Sequence, residues 1–265
     1  MKKISLFIVL GIVLLLLSGC FQSHRIIYLN KDGSGKIVET MLITSNLNDY
    51  MGDEVASYDV EELEEKAADF GEGVKYVSSK DVTQNSLQGY EVTYSFQDIS
   101  KIRLNQNATQ EINDASASID SYNYITFRFK KGGIAELKVI FPKEEKDDQE
   151  LTDDEELGDE ENYNDDMTEE DDNSALQMVK TVYADMEIST KIVVEGKIVS
   201  SDATHVQDNE ITLEEIIFAK LLENENALKL MDKNSDVGDI KFINQFKDYP
   251  GVKIEQKNEI TIKFK

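Results

Sequence analysis

Two histidines, one cysteine and 53 carboxylates are the residues of this 265-residue chain that could do chemistry, and their spacing limits what that chemistry is. His24 lies four residues after the single cysteine, Cys20, and His205 sits in a polar stretch. A Ser-His-acid triad would have to recruit one of them, yet neither has a G-x-S-x-G elbow beside it. Both read as solvated side chains. With one cysteine, an internal disulfide and a thiolate metal cluster are excluded. So many acidic residues make chance carboxylate pairs certain, and no pair identifies an acid-base machine. Asp32-Gly33-Ser34-Gly35-Lys36 invites a phosphate-loop reading, but Asn30 stands where a Walker motif needs glycine. Two stretches approach a calcium loop. In the first, Asn30, Asp32 and Ser34 are well spaced but Met41 replaces the bidentate glutamate. In the second, Asp232, Asn234 and Asp236 are followed by Gly238 one place late. Neither is a metal site, and no cofactor motif appears.

The apolar side chains offer a different chemistry. Tyr90, Val92, Tyr94 and Phe96 alternate, as do Ile125, Phe127 and Phe129, so each run presents large side chains on one strand face. Tyr90, Tyr94, Phe96, Phe127 and Phe129 could line a cavity for an acyl chain or similar ligand. Ordinary core packing accounts for the same pattern.

The elements that must position these residues begin with an export signal. Lys2 and Lys3 precede an uncharged, largely apolar run, residues 4–17, and then Leu17-Ser18-Gly19-Cys20. About 14 residues at roughly 1.5 Å each fall short of the roughly 30 Å hydrocarbon layer, so this is not a lasting membrane span. The junction resembles the lipobox of bacterial lipoproteins, L-[AS]-[GA]-C, at every position. That resemblance implies cleavage after residue 19, a diacylglycerol thioether on Cys20 that excludes a catalytic thiol, and a body held on the extracytoplasmic side of a bacterial envelope membrane. Residues 20–25 would form a lipidated tether in which Phe21 to Arg25 reach at most roughly 17 Å.

The net charge is −25, and residues 143–173 hold 18 Asp plus Glu against 2 Lys. Like charges with few apolar residues cannot offset ordering entropy, so this segment reads as a disordered insertion. The rest lacks any cluster of Lys and Arg, which argues against nucleic acid. On either side of the insertion, residues 26–142 and 174–265 read as two parts of one domain. Strands are expected at Ile26 to Leu29 and Ile37 to Ile43 around a glycine turn, at Val74 to Val82, at Tyr90 to Phe96, and in a hairpin turning at Gly132-Gly133. A helix capped at Asp59 should end at Gly71. After a further helix at Ser174 to Tyr183, Ile188 to Val194 alternates as a strand that runs on to Ser200. Thr212-x-x-Glu215 reads as a capping box opening a helix through Leu213, Ile217, Leu221, Leu228 and Met231. A helical turn at Ile240 to Phe246 and a closing hairpin after Pro250-Gly251 complete the chain. Together these predict an α+β domain, a largely antiparallel sheet of hairpins with packed helices.

The pieces LNKDGSGKIVETMLI, EELEEKAADFG, KYVSSKDVTQNSLQGYEVTYSFQDI and DMEISTKIVVEGKIVSSDATHVQDNEITL resemble, in order, the LppM-type domain of bacterial lipoproteins over roughly residues 25–213. Members often carry a Pro-Gly pair and a tryptophan where this chain has Glu195-Gly196 and no tryptophan. The resemblance implies lipid or envelope-ligand binding and supplies no catalytic residue. The expectation is therefore a non-enzymatic lipoprotein, anchored to a membrane through Cys20, that binds an apolar ligand or an envelope protein partner. A purely structural surface protein and a carboxylate-based envelope hydrolase are the alternatives.

Overall fold

The structure is a computed structural model that describes residues 21–44, 58–85, 87–105, 124–142, 180, 183–233 and 244–265. The expected signal, Cys20, the acidic run 143–173 and most of the stretch Ser174 to Tyr183 expected to be helical lie outside the described residues. The first strand, β1 (Phe21–Leu29), pairs antiparallel with β2 (Gly35–Thr44) across the Lys31 to Ser34 turn. Gly33 takes a φ of +92° there, a conformation open to glycine because it has no Cβ. After helix α1 (Val60–Lys66), β3 (Lys75–Gln84) and β4 (Leu87–Phe96) form a second hairpin that joins β2 through β4. Asp59 caps α1 by accepting a bond from the Glu61 amide. Leu63 on its inner face is buried, as are Ala67 and Phe70 in the turn that follows it.

A short 3₁₀ turn (Ile99–Lys101) then carries the chain to a second sheet. This sheet contains β5 (Arg103–Asn105), β6 (Tyr124–Lys130) and β7 (Ala135–Ile140). Past the insertion, β8 (Glu187–Val194) returns to the first sheet and lies parallel to β1. β9 (Ile198–Ser201) crosses again to the second. Gly196, at φ +90°, makes that crossing, and a Cβ there would collide with the Lys265 carbonyl. β10 (Val206–Gln207) and β11 (Glu210–Ile217) rejoin the first sheet. Helices α2 (Phe218–Leu221) and α3 (Glu225–Lys233) follow, then β12 (Val252–Ile254) on β11 and β13 (Glu259–Phe264) between β7 and β9.

The expected α+β class is corrected by this arrangement. The described residues are mostly strand, in an eight-stranded and a five-stranded sheet that enclose one core, and helices do not form a packed layer. Three local misreadings explain the difference. Thr212 to Glu215 is strand β11, not a helix start. A β-bulge at Leu213 inserts one residue, so apolar positions 211, 213 and 216 lose their period of two and mimic helical spacing. Ile188 to Ser200 is two strands in different sheets, broken at Gly196. The closing pair β12 and β13 is no hairpin, because each joins a different sheet. The stretch read as a tether is also ordered: Phe21 to Arg25 is the first half of β1.

The inner faces of the two sheets meet in the main core. Ile27 and Leu29 from β1, Ile37 from β2, Val92 and Tyr94 from β4 and Ile192 from β8 face Phe127, Leu137, Val139, Ile260 and Phe264. Each such side chain contributes about 1.5–3 kcal/mol by leaving water. A second apolar cluster, including Ile188, Ile216, Phe218, Leu221, Leu228, Met231 and Phe246, gathers under α2 and α3.

Candidate functional site

Along the inner face of the first sheet, a polar row separates the two clusters. The strand register sets Glu39 on β2, Arg25 on β1, Thr190 on β8 and Glu214 on β11 side by side. On β8, Thr190 is flanked by Ile188 of the second cluster and Ile192 of the main core. The bulge at Leu213 places Glu214 in this row. Without the extra residue, strict alternation would turn the residue after Leu213 toward the outer face.

Arg25 is 5% exposed and donates from Nε to Glu39 Oε1 at 2.7 Å. Its Nη2 lies 2.7 Å from the same oxygen, its Nη1 reaches the Asn105 carbonyl, and its guanidinium stacks over Phe70 at 5.4 Å. Lys66 of α1 closes on Glu39 Oε2 at 3.1 Å. Burial opposes the Glu39 charge, but Lys66 and Arg25 outweigh it and hold the carboxyl down at about 2. Glu214 is the converse case. Burial pushes its carboxyl up to about 7, and the positive charge of Arg25 offsets only part of this. It lines a cavity of about 30 Å³ with Asn105, Thr190, Asn244, Leu213 and Ile254, room for one water.

The aromatic residues singled out from the sequence are packed in the core or against it. Tyr94, Phe96 and Phe127 are at most 3% exposed, and Tyr90 and Phe129 pack against them from the edge. Phe70 and Tyr94 rings meet at 5.0 Å, Tyr58 and Tyr90 at 4.9 Å, and Phe129 and Phe264 at 6.4 Å. The Tyr94 hydroxyl is buried with no hydrogen-bond partner among the described residues. Burial, then the Glu39 charge, raises its pKa above the ordinary phenol value.

His24 lies on the outer sheet face, its Nδ1 2.9 Å from Ser189 Oγ. Burial lowers its pKa, and the nearby Glu187 works against that. Ser189 is only 4% exposed, so the pair presents no accessible nucleophile. It is flanked by the Lys191, Glu215 and Lys253 ion pairs. His205 serves through its backbone, its carbonyl accepting from the Thr212 amide. Asp32 is a turn residue whose Oδ1 accepts from both the amide and hydroxyl of Ser34. These bonds to the anion lower its pKa. The loop from Asn234 to Gly238 is outside the described residues. Among the described residues no three His, Cys, Asp or Glu side chains group to hold a metal.

Sequence reasoning missed the polar row. Arg25 appeared as tether and Glu214 as part of a helix, because cross-strand register between residues 25, 39, 190 and 214 leaves no local signal.

No protein-family model matches the chain, and no curated protein does. Among solved structures, the NMR structure of the folded domain of LppM from Mycobacterium tuberculosis is similar at a TM-score of 0.33. That match has 8% identity and covers 73% of this chain and 80% of that one. A likeness of that size carries no argument about function.

Proposed function

We propose that this chain is a lipid-anchored protein of the bacterial envelope whose two-sheet body acts without catalysis, by engaging a protein partner. The observation that carries the anchor is Leu17-Ser18-Gly19-Cys20 at the end of the apolar run, followed at once by β1 at Phe21. Acyl chains contribute about 0.8 kcal/mol per buried methylene, so two or three chains on Cys20 hold the body to a membrane persistently. An apolar ligand is the weaker alternative, because the stripe that would have received it is occupied by other rings. The hydrolase alternative gains nothing from Glu214, the described carboxyl with raised proton affinity, because the cavity beside it is only about 30 Å³.

Growth with labelled palmitate tests the anchor. The wild-type chain should carry label and sediment with membranes, and Cys20→Ser should lose both. A Cys20→Ser chain that stays membrane-bound would overturn the reading.

A further inference from the structure

The second apolar cluster sits at the end of the body from which Cys20 leaves. Phe21 packs into it, together with Tyr183, Met186, Phe218 and Tyr249. The Tyr183 and Phe218 rings stack at 5.6 Å. Phe21, Tyr183, Met186 and Tyr249 are only partly buried, so this end keeps apolar and phenolic surface in water. No slack separates it from residue 20, because β1 begins at Phe21 and pairs there with Ile43. Consecutive Cα atoms lie about 3.8 Å apart, and the headgroup layer is roughly 5–8 Å deep on each side of a bilayer.

We propose that this cluster is the seat of the molecule on its membrane. Phe21, Tyr183, Met186 and Tyr249 rest in the headgroup layer of the bilayer that holds the Cys20 acyl chains, and the Lys31 to Ser34 turn points away. The proposal rests on the lipid-anchor reading and adds an orientation to it. Aromatic side chains with a polar tip suit this layer, since the ring leaves water while the hydroxyl keeps its bonds. Lying flat would instead press the outer sheet face, with His24, Lys191, Glu210, Glu215 and Lys253, against lipid. Those ion pairs would lose hydration, whereas seating the end leaves that outer face in water. The far end is distant: eight steps along β1 place Leu29 roughly 26 Å from Phe21. Glu195 bonds to the Leu29 carbonyl there, and the Ala135–Phe264–Ile198 pairing lies on the same side, next to the half-exposed Ile134.

Because the chain has no tryptophan, single reporters can be placed freely. Full-length acylated chains carrying Tyr249→Trp, Met186→Trp or Ile134→Trp would be reconstituted in phosphatidylcholine vesicles brominated near the glycerol. The two reporters in the cluster should lose a large part of their emission, as expected for side chains within the interfacial layer, and Ile134→Trp should lose none. Met186→Trp stands in if Tyr249→Trp disturbs folding. Unquenched cluster reporters on protein that floats with the vesicles would overturn the proposal and leave the anchor intact. Equal quenching of all three would overturn it in favour of a flat orientation. An intact mass lacking acyl chains would instead remove the anchor itself.

Discussion

Glu214→Gln separates charge from shape at the boundary between the two apolar clusters. In the unfolded chain this carboxyl ionises near its ordinary 4.5, but in the native sheet burial raises it to about 7. Between those values the unfolded chain releases a proton that the native state keeps, so native stability falls as pH rises through this window. At about 1.4 kcal/mol per pH unit, the loss reaches about 3 kcal/mol at neutrality as an upper bound. Glutamine has nearly the same volume and does not ionise. The variant should match the wild type near about pH 4 and exceed it by up to about 3 kcal/mol near about pH 8, where both carboxyl states have ionised. That corresponds to a gain of roughly 6–12 °C in Tm. Urea unfolding followed by circular dichroism at the two pH values would measure it. A gain of equal size at both, or none at the higher pH, would refute the account of Glu214 as a carboxyl held against ionisation by burial.

Two further outcomes follow from the same row. Glu39→Gln leaves Arg25 and Lys66 without their shared carboxylate and should cost about 3–5 kcal/mol at neutral pH, read by the same denaturation. Its folded value lies below its ordinary one, so the stability it contributes is complete above about 4.5 and is lost as pH falls through about 2; the gap between variant and wild type should close over that acid range. Tyr94→Phe removes a buried hydroxyl that lacks a partner among the described residues and should leave stability unchanged or raise it by about 1 kcal/mol. A loss larger than that would reveal a bond to this oxygen.

The amino-acid sequence alone determined what depends on near neighbours along the chain. The apolar run 4–17 and Leu17-Ser18-Gly19-Cys20, read as an export signal with a lipid-type junction, are contiguous strings, and the alternation of Tyr90 to Phe96 and of Ile125 to Phe129 foretold strand faces because a strand repeats every two residues. The Asp59 cap and the Gly33 turn were legible for the same local reason. Only the tertiary structure decided that β8 and β9 belong to different sheets, that the bulge at Leu213 turns an apparent helix start into a strand, and that aromatic rings occupy the core. It alone placed Arg25, Glu39, Thr190 and Glu214 in one row, since residues up to 189 positions apart meet there through strand register. Charge and burial act through space, so the raised proton affinity of Glu214 exists only once four strands have paired.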